Sequence, residues 1–418
     1  MINLINKSKC CGCNSCVQKC PKKCISMQED EEGFLYPHID TDICIDCHVC
    51  EKVCPVINKN EPRTPLACYA AKNPDENIRM KSSSGGIFSM LAEKVINDCG
   101  VVFGAGFNRK WQVVHSYTET KEGIVAFRGS KYVQSVIGNT YKETELFLKQ
   151  GREVLFSGTP CQIAGLKKYL CKEYENLITV DFICHGVPSP GVFRWYLQEV
   201  LNNHAARKVK KDSIMFPTTT SIPKGDIQMP EGISITDIRF RDKREGWKKY
   251  CFTLQIAEDP SNDKDRTVTY SSNLHKNLYL KGFLKDLYLR PSCYDCPSKC
   301  LSSQSDITIA DFWGINRINN SLDDNGGISA ILANSAKGKK LLENIDLNLY
   351  EVSFNDILKN NSAINHSSRV PSNRKRFWSY KGSLHERIQI FAKTPLLLKL
   401  IHFVNYRILK KISNKLRK

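Results

Sequence analysis

Apolar and polar positions along this chain fall into short patterned stretches that predict a series of elements. Ile25-Ser26-Met27 and Phe34-Leu35-Tyr36 flank an acidic turn from Gln28 to Gly33, the pattern of a hairpin. The polar, proline-bearing stretch from Asn58 to Pro65 reads as a linker. Beyond it, Cys68 to Lys72 predicts a short strand, and Ser82-Ser83-Ser84-Gly85-Gly86 opens a helix running from Ile87 to Asp98. Val101 to Ala105 and Trp111 to Tyr117 follow as strands. Glu153 to Leu166 reads as strand, tight turn and helix, and Leu177 to Ile183 as the next strand. Alternation between Ile233 and Tyr270 predicts antiparallel strands, and Asp306 to Gly314 a strand running into a turn. Thr394 to Lys418 has the pattern of an amphipathic basic helix.

These elements predict an α+β chain: a small N-terminal module, a mixed α/β body and a basic helical C-terminal tail. The expected boundaries are 1–60, 66–170, 171–345 and 346–418. At 418 residues, 41% hydrophobic and 25% charged, the composition is that of a soluble globular protein with room for two or three domains. No apolar run approaches the roughly 18 residues that a membrane span needs. The first cysteine, Cys10, leaves no space for a signal-peptide apolar region. Nineteen cysteines then point to a reducing compartment in which thiolates bind metal, so a cytoplasmic location is expected. Fourteen Lys and Arg against one Glu lie between Arg369 and Lys418, so thirteen of the eighteen net positive charges sit there. The body is therefore only mildly basic, and no nucleic-acid partner is expected. The tail instead suggests peripheral contact with anionic membranes, or simple docking on the body with its charged face in water.

The strongest chemical signal is a repeated cysteine run. Cys10, Cys13, Cys16 and Cys20 are followed by Pro21, and Cys44, Cys47, Cys50 and Cys54 by Pro55, at identical spacing. This is the bacterial ferredoxin-type run, in which the fourth cysteine ligates the other cluster. One 4Fe-4S cluster is thus expected on Cys10, Cys13, Cys16 and Cys54, and a second on Cys44, Cys47, Cys50 and Cys20. Zinc sites use pairs rather than runs of four, and disulfides need an oxidising compartment. Cys11 and Cys24 fall outside the pattern and are expected to be bystanders.

The body carries less specific signals. Serine and glycine opening the helix at Ile87 leave backbone N–H groups free for an anion, although an ordinary helix cap has the same look. Cys161 and Cys184 both follow strands, where α/β proteins place chemistry. With the Cys293-x2-Cys296 pair they would supply four thiolates for a third cluster. A lone pair of this kind equally suits a redox dithiol or half of a zinc site.

Five motifs stand in one order: Ser84-Gly85-Gly86, Gly129-Ser130-Lys131-Tyr132, Gly158-Thr159-Pro160-Cys161-Gln162, Cys184-His185-Gly186, and Cys293-x2-Cys296 with Asp311-Phe312-Trp313-Gly314. Over residues 68–345 they make the chain resemble the family of coenzyme F420 hydrogenase/dehydrogenase beta subunits, in which a ferredoxin module in front is a common arrangement. The resemblance implies a flavoprotein, usually with FAD (FMN is the alternative), and a cluster beside the flavin on Cys161, Cys184, Cys293 and Cys296. Cys300 departs from that set and leaves its exact membership open. Ser84, Gly85, Gly86, Ser130, Lys131, Tyr132, Gly158, Thr159, Pro160 and Gln162 become candidate flavin contacts. The absence of a GxGxxG fingerprint after a strand argues against a Rossmann-type site.

The expected activity is an iron–sulfur flavin-dependent oxidoreductase that splits a two-electron reaction on an organic substrate or deazaflavin into one-electron steps. Lys131 would offset charge on flavin or phosphate, and His185 would shuttle a proton. The electron partner would be a ferredoxin or a catalytic subunit. The rival expectation is an electron-transfer subunit without its own substrate, docking to a catalytic partner in sugar or polysaccharide metabolism.

Overall fold

A computed structural model describes residues 6–209, 219–258 and 266–393. The expected hairpin is present as strands β1 (Ile25–Glu29) and β2 (Leu35–Ile39), paired antiparallel from Ile25 opposite Ile39 to Glu29 opposite Leu35. The body is organised by an eight-stranded mixed sheet. Its strands are β3 (Ala67–Ala71), β4 (Val101–Phe107), β5 (Val113–Thr118), β6 (Val154–Ser157), β7 (Leu177–Phe182), β11 (Ile307–Asp311), β12 (Ser329–Ala333) and β13 (Tyr350–Glu351). Their order across the sheet is β13-β3-β12-β11-β7-β6-β4-β5. The central strands β4, β6, β7 and β11 run parallel, and the flanking pairs are antiparallel.

Apolar runs make these central strands, because both sheet faces are covered and each strand must feed two cores. Val101, Phe103, Val154 and Phe156 point into one core with Ile163 and Leu166 of the helix Pro160–Leu170. Their alternating neighbours Val102 and Leu155 point into the other, with Leu91 and Val95 of the helix Ile87–Asn97. The carboxyl ends of β6 and β7 consequently emerge together at one sheet edge, where Cys161 and Cys184 follow.

A separate antiparallel sheet comprises β8 (Ile233–Asp242), β9 (Cys251–Glu258) and β10 (Arg266–Asn273), in the order β10-β9-β8. It packs Phe240, Phe252 and Leu254 against Trp195 and Leu201 of the helix Pro190–Val209. The antiparallel strands expected between Ile233 and Tyr270 are these three.

The stretch set apart in the sequence as 346–418 is not a separate tail over its first part. β13 extends the main sheet along β3, Ile357 and Ile364 join the core around Phe312, and Phe377, Leu384, Ile388 and Phe391 complete the core under the second sheet. Basic residues between these apolar positions dominate the composition and hide the buried stripe. The amphipathic helix expected over Thr394–Lys418 lies outside the described residues. Likewise, strands from 66–170 and 171–345 interleave in one sheet, so the expected division at 170 does not part the fold.

Candidate metal centres

The two cysteine runs fold into similar shapes. In each, the residue directly after the second cysteine takes a left-handed conformation, Asn14 at φ 68° and His48 at φ 57°, and opens a short helix. That bend turns successive cysteines toward one point rather than along a helix face. Cys10, Cys13, Cys16 and Cys54 line one cavity together with Cys11. Cys20, Cys44, Cys47 and Cys50 line a second, together with Cys24. The fourth cysteine of each run therefore lies in the cavity lined by the first three of the other run. Cys11 and Cys24, expected to be bystanders, instead stand in the cavity walls; Cys24 Sγ lies 3.4 Å from Cys20 Sγ. Nothing in the local spacing marks either residue.

A third cavity opens at the carboxyl edge of the main sheet. Thr159 and Gln162 form a reciprocal capping box, and Pro160 starts the helix that carries Cys161 in its first turn. Cys184 follows β7, while Cys293 and Cys296 come from the turn Pro291–Asp295 and the residue after it. All four line the same cavity, beside Cys11, Arg290 and His185. Cys300 is not in that wall: its N–H donates to the Ile364 carbonyl at 2.8 Å, and its carbonyl accepts from the Arg63 N–H at 3.1 Å.

Burial pushes the Cys184 thiol well above its ordinary range and the Cys293 thiol up to about 12. Cys161 is held down, chiefly by its hydrogen bond with Cys11 and despite its burial. Four thiols in so little water become thiolates only with a cationic group among them, and the sulfur-rich wall suits iron. Among the described residues, no three His, Cys, Asp or Glu side chains are close enough to share a single metal ion.

Cys11 belongs to the walls of both the first and the third cavity and hydrogen-bonds with Cys13 and Cys161. The N-terminal module is held there by Ser15 Oγ, which donates to the Gly165 carbonyl at 2.8 Å, and by Gln134 Nε2, which donates to the Cys11 carbonyl at 3.0 Å.

The candidate flavin contacts are brought together only in part. Ser130 N–H donates to Ser83 Oγ at 2.6 Å, so the two glycine- and serine-containing turns lie side by side. Gly85 N–H is already given to Ser329 Oγ at 3.0 Å and the Ser84 hydroxyl to the Ile328 carbonyl at 2.8 Å. Gly86 caps the helix Ile87–Asn97 at φ 83°. Lys131 Nζ donates to the Ala126 and Arg128 carbonyls at 2.8 and 3.1 Å, and burial pulls its pKa down to about 7. Tyr132 packs into an aromatic group, its ring 4.7 Å from that of Phe283. Gly158, Thr159, Pro160 and Gln162 build the turn that presents Cys161, with Gln162 Nε2 tied to Ser135 Oγ at 2.9 Å. The Ser84 hydroxyl and the Gly85 and Ser130 N–H groups are thus engaged within the chain. His185 lies at the edge of the third cavity, with Nε2 2.6 Å from Asp286 Oδ1.

A dicluster ferredoxin module is thus pressed against an α/β body, with a further cysteine-walled cavity at the junction. The chain belongs to the family of coenzyme F420 hydrogenase/dehydrogenase beta subunits. Residues 68–140 match the model of that subunit's N-terminal part, residues 151–353 that of its C terminus, and residues 9–58 that of a 4Fe-4S dicluster domain. It is similar to a subunit of the F(420)H(2) dehydrogenase of Methanosarcina mazei, 26% identical over 198 residues that cover 43% of this chain and 54% of that protein. Ferredoxin 7Fe of Hydrogenibacillus schlegelii is 52% identical over 42 residues, covering 10% of this chain and 47% of the ferredoxin. The chain thus spans about half the length of the curated relatives it matches. Among solved structures, a chain of the xenon-derivatised F420-reducing [NiFe] hydrogenase complex from Methanosarcina barkeri aligns with a TM-score of 0.41 at 16% identity, covering 75% of this chain and 91% of that one. Among the described residues, no helix is long and apolar enough to cross a membrane.

Proposed function

We propose that the chain passes electrons singly between a two-electron reaction near the third cavity and a protein partner at the second, through three 4Fe-4S centres in the order third, first, second. The observation that carries this reading is Cys11, which stands in the walls of both the third and the first cavity. Bound there, the clusters would supply one-electron storage and relay. Cys161, Cys184, Cys293 and Cys296 would hold the third, and the two ferredoxin-type sets the others. The chain's own groups hold and orient them: the capped turn at Thr159 aims Cys161, and burial keeps water from the inner sulfurs. His185 Nε2 is held by Asp286, which leaves Nδ1 as the ring nitrogen to carry a proton at the edge of the third cavity. The family implies a flavin for the two-electron half-reaction. No step is assigned through it.

Anaerobic purification with iron, sulfide and flavin measured on one sample tests this reading. About twelve iron atoms per chain support three centres. About eight would leave the ferredoxin module alone and remove the third centre. Turnover of reduced deazaflavin or another two-electron donor by the isolated chain supports an enzyme with its own substrate. Activity that appears only with a catalytic subunit added supports the second reading, a relay subunit, which the dehydrogenase-subunit name of the Methanosarcina mazei relative favours.

A further inference from the structure

Arg290 is among the most deeply buried charged residues of the chain, at 1% exposure. Its guanidinium is fully engaged: Nε donates to the Cys10 carbonyl at 2.8 Å, one terminal nitrogen to Gln134 Oε1 at 2.8 Å, and the other to the Leu35 carbonyl at 3.0 Å and toward Cys10 Sγ at 3.7 Å. The Tyr36 ring stacks 4.2 Å from it. A Cβ on Gly12 would stand 2.8 Å from the guanidinium carbon, so this backbone approaches as closely as only glycine allows. Every one of these partners is a neutral acceptor, a thiol or a ring. Arg241 has Asp311 and Arg79 has Asp324, whereas among the described residues Arg290, like Arg387 with its carbonyl partners, meets no carboxylate.

A buried charge without a counter-charge is unfavourable, so an anion placed beside one is stabilised. The groups that surround Arg290 supply it only as thiolates. It lines the third cavity beside Cys293, reaches the first only through its bonds to Cys10 without lining that cavity, and neither lines the second nor bonds any of its cysteines. A thiolate-ligated iron–sulfur cube is anionic, and each added electron makes it more so. We propose that Arg290 is the shared counter-ion of the first and third centres, a positioning residue that raises both reduction potentials relative to the second. The inference rests on the three-centre reading above.

The test is a potentiometric titration followed by electron paramagnetic resonance, on the full-length protein and its Arg290→Gln, Arg290→Lys and Gly12→Ala variants, with iron counted in each. Arg290→Gln is expected to make the first and third centres harder to reduce by at least about tenfold in the oxidised-to-reduced ratio, about 59 mV for one electron, while the second keeps its potential. Arg290→Lys, which keeps the charge but loses the fork of hydrogen bonds, is expected to recover most of the shift. A merely structural role predicts no such recovery. Gly12→Ala displaces the guanidinium from Cys10 without removing it, so the first centre is expected to shift more than the third. This keeps the inference testable should Arg290→Gln not fold. Full iron content with unmoved potentials, or equal shifts at all three centres, would overturn the inference and leave the three-centre reading standing. Native protein lacking the third centre's iron would overturn both.

Discussion

The two halves of the ferredoxin module carry the same cysteine spacing and the same left-handed bend, yet they meet different surroundings. The first half is pressed into the body: Cys11, Cys13 and Cys16 are buried, Ser15 bonds Gly165, and Gln18 Oε1 accepts from the Tyr141 and Lys142 N–H groups at 3.1 and 3.2 Å. The second half faces outward, with Cys47 exposed and with Ile43 and Ile45 at 49% and 58% exposure. Local spacing decides which sulfurs gather, and tertiary packing decides what each gathering connects to. In the proposed route the inner half would exchange electrons within the chain and the outer half with another protein.

The sharpest way to break this contrast is to part the inner half from the body. A Cβ on Gly165 would stand 2.8 Å from Cys13 Cβ, so Gly165→Val forces the module outward. Overpacking of this kind costs about 1–3 kcal/mol. Ile45→Ser, on the exposed side of the outer half, is expected to change stability by less than about 0.5 kcal/mol. Anaerobic denaturant titrations followed by the cluster absorbance would compare the two. Equal effects would mean that the inner half is not anchored as described.

A smaller effect separates the body from both halves. His115, on β5, is stacked on Phe156, and its Nε2 lies 3.0 Å from the Ser157 carbonyl. Burial lowers its pKa from 6.5 to about 4. Between these values the unfolded chain binds the proton and the folded chain does not, so stability is present above pH 6.5 and lost as pH falls toward 4. From pH 7.5 to 5.5 this group should account for a loss of about 1 kcal/mol, absent in His115→Gln. Denaturant midpoints at the two pH values check it; identical pH slopes in native and variant would contradict it.

Legibility followed range along the chain. The eight N-terminal cysteines could be assigned to two groups because their chemistry is written in adjacent residues. Cys161 and Cys184 were visible as strand-end residues, but their meeting with Cys293 and Cys296 depends on the β6–β7–β11 order, which periodicity does not reveal. Cys11 and Arg290 carried no local signal, since their significance arises only where the module docks. The stretch from 346 to 393 misled because its basic residues outnumber its buried Ile357, Phe377, Leu384 and Ile388. The candidate flavin turns have residue types that suit a phosphate, and their mutual contact, Ser130 N–H on Ser83 Oγ, depends on packing that the local pattern does not write.

The proposed electron route depends on the third centre adjoining the first and not the second. Electron paramagnetic resonance of the fully reduced native protein, set against Cys161→Ala/Cys184→Ala, decides between these arrangements. The double variant is expected to lose about four iron atoms per chain, magnetic broadening to disappear from the inner ferredoxin-type signal, and the outer signal to stay unchanged. Identical spectra and identical iron contents in the two proteins would contradict the route.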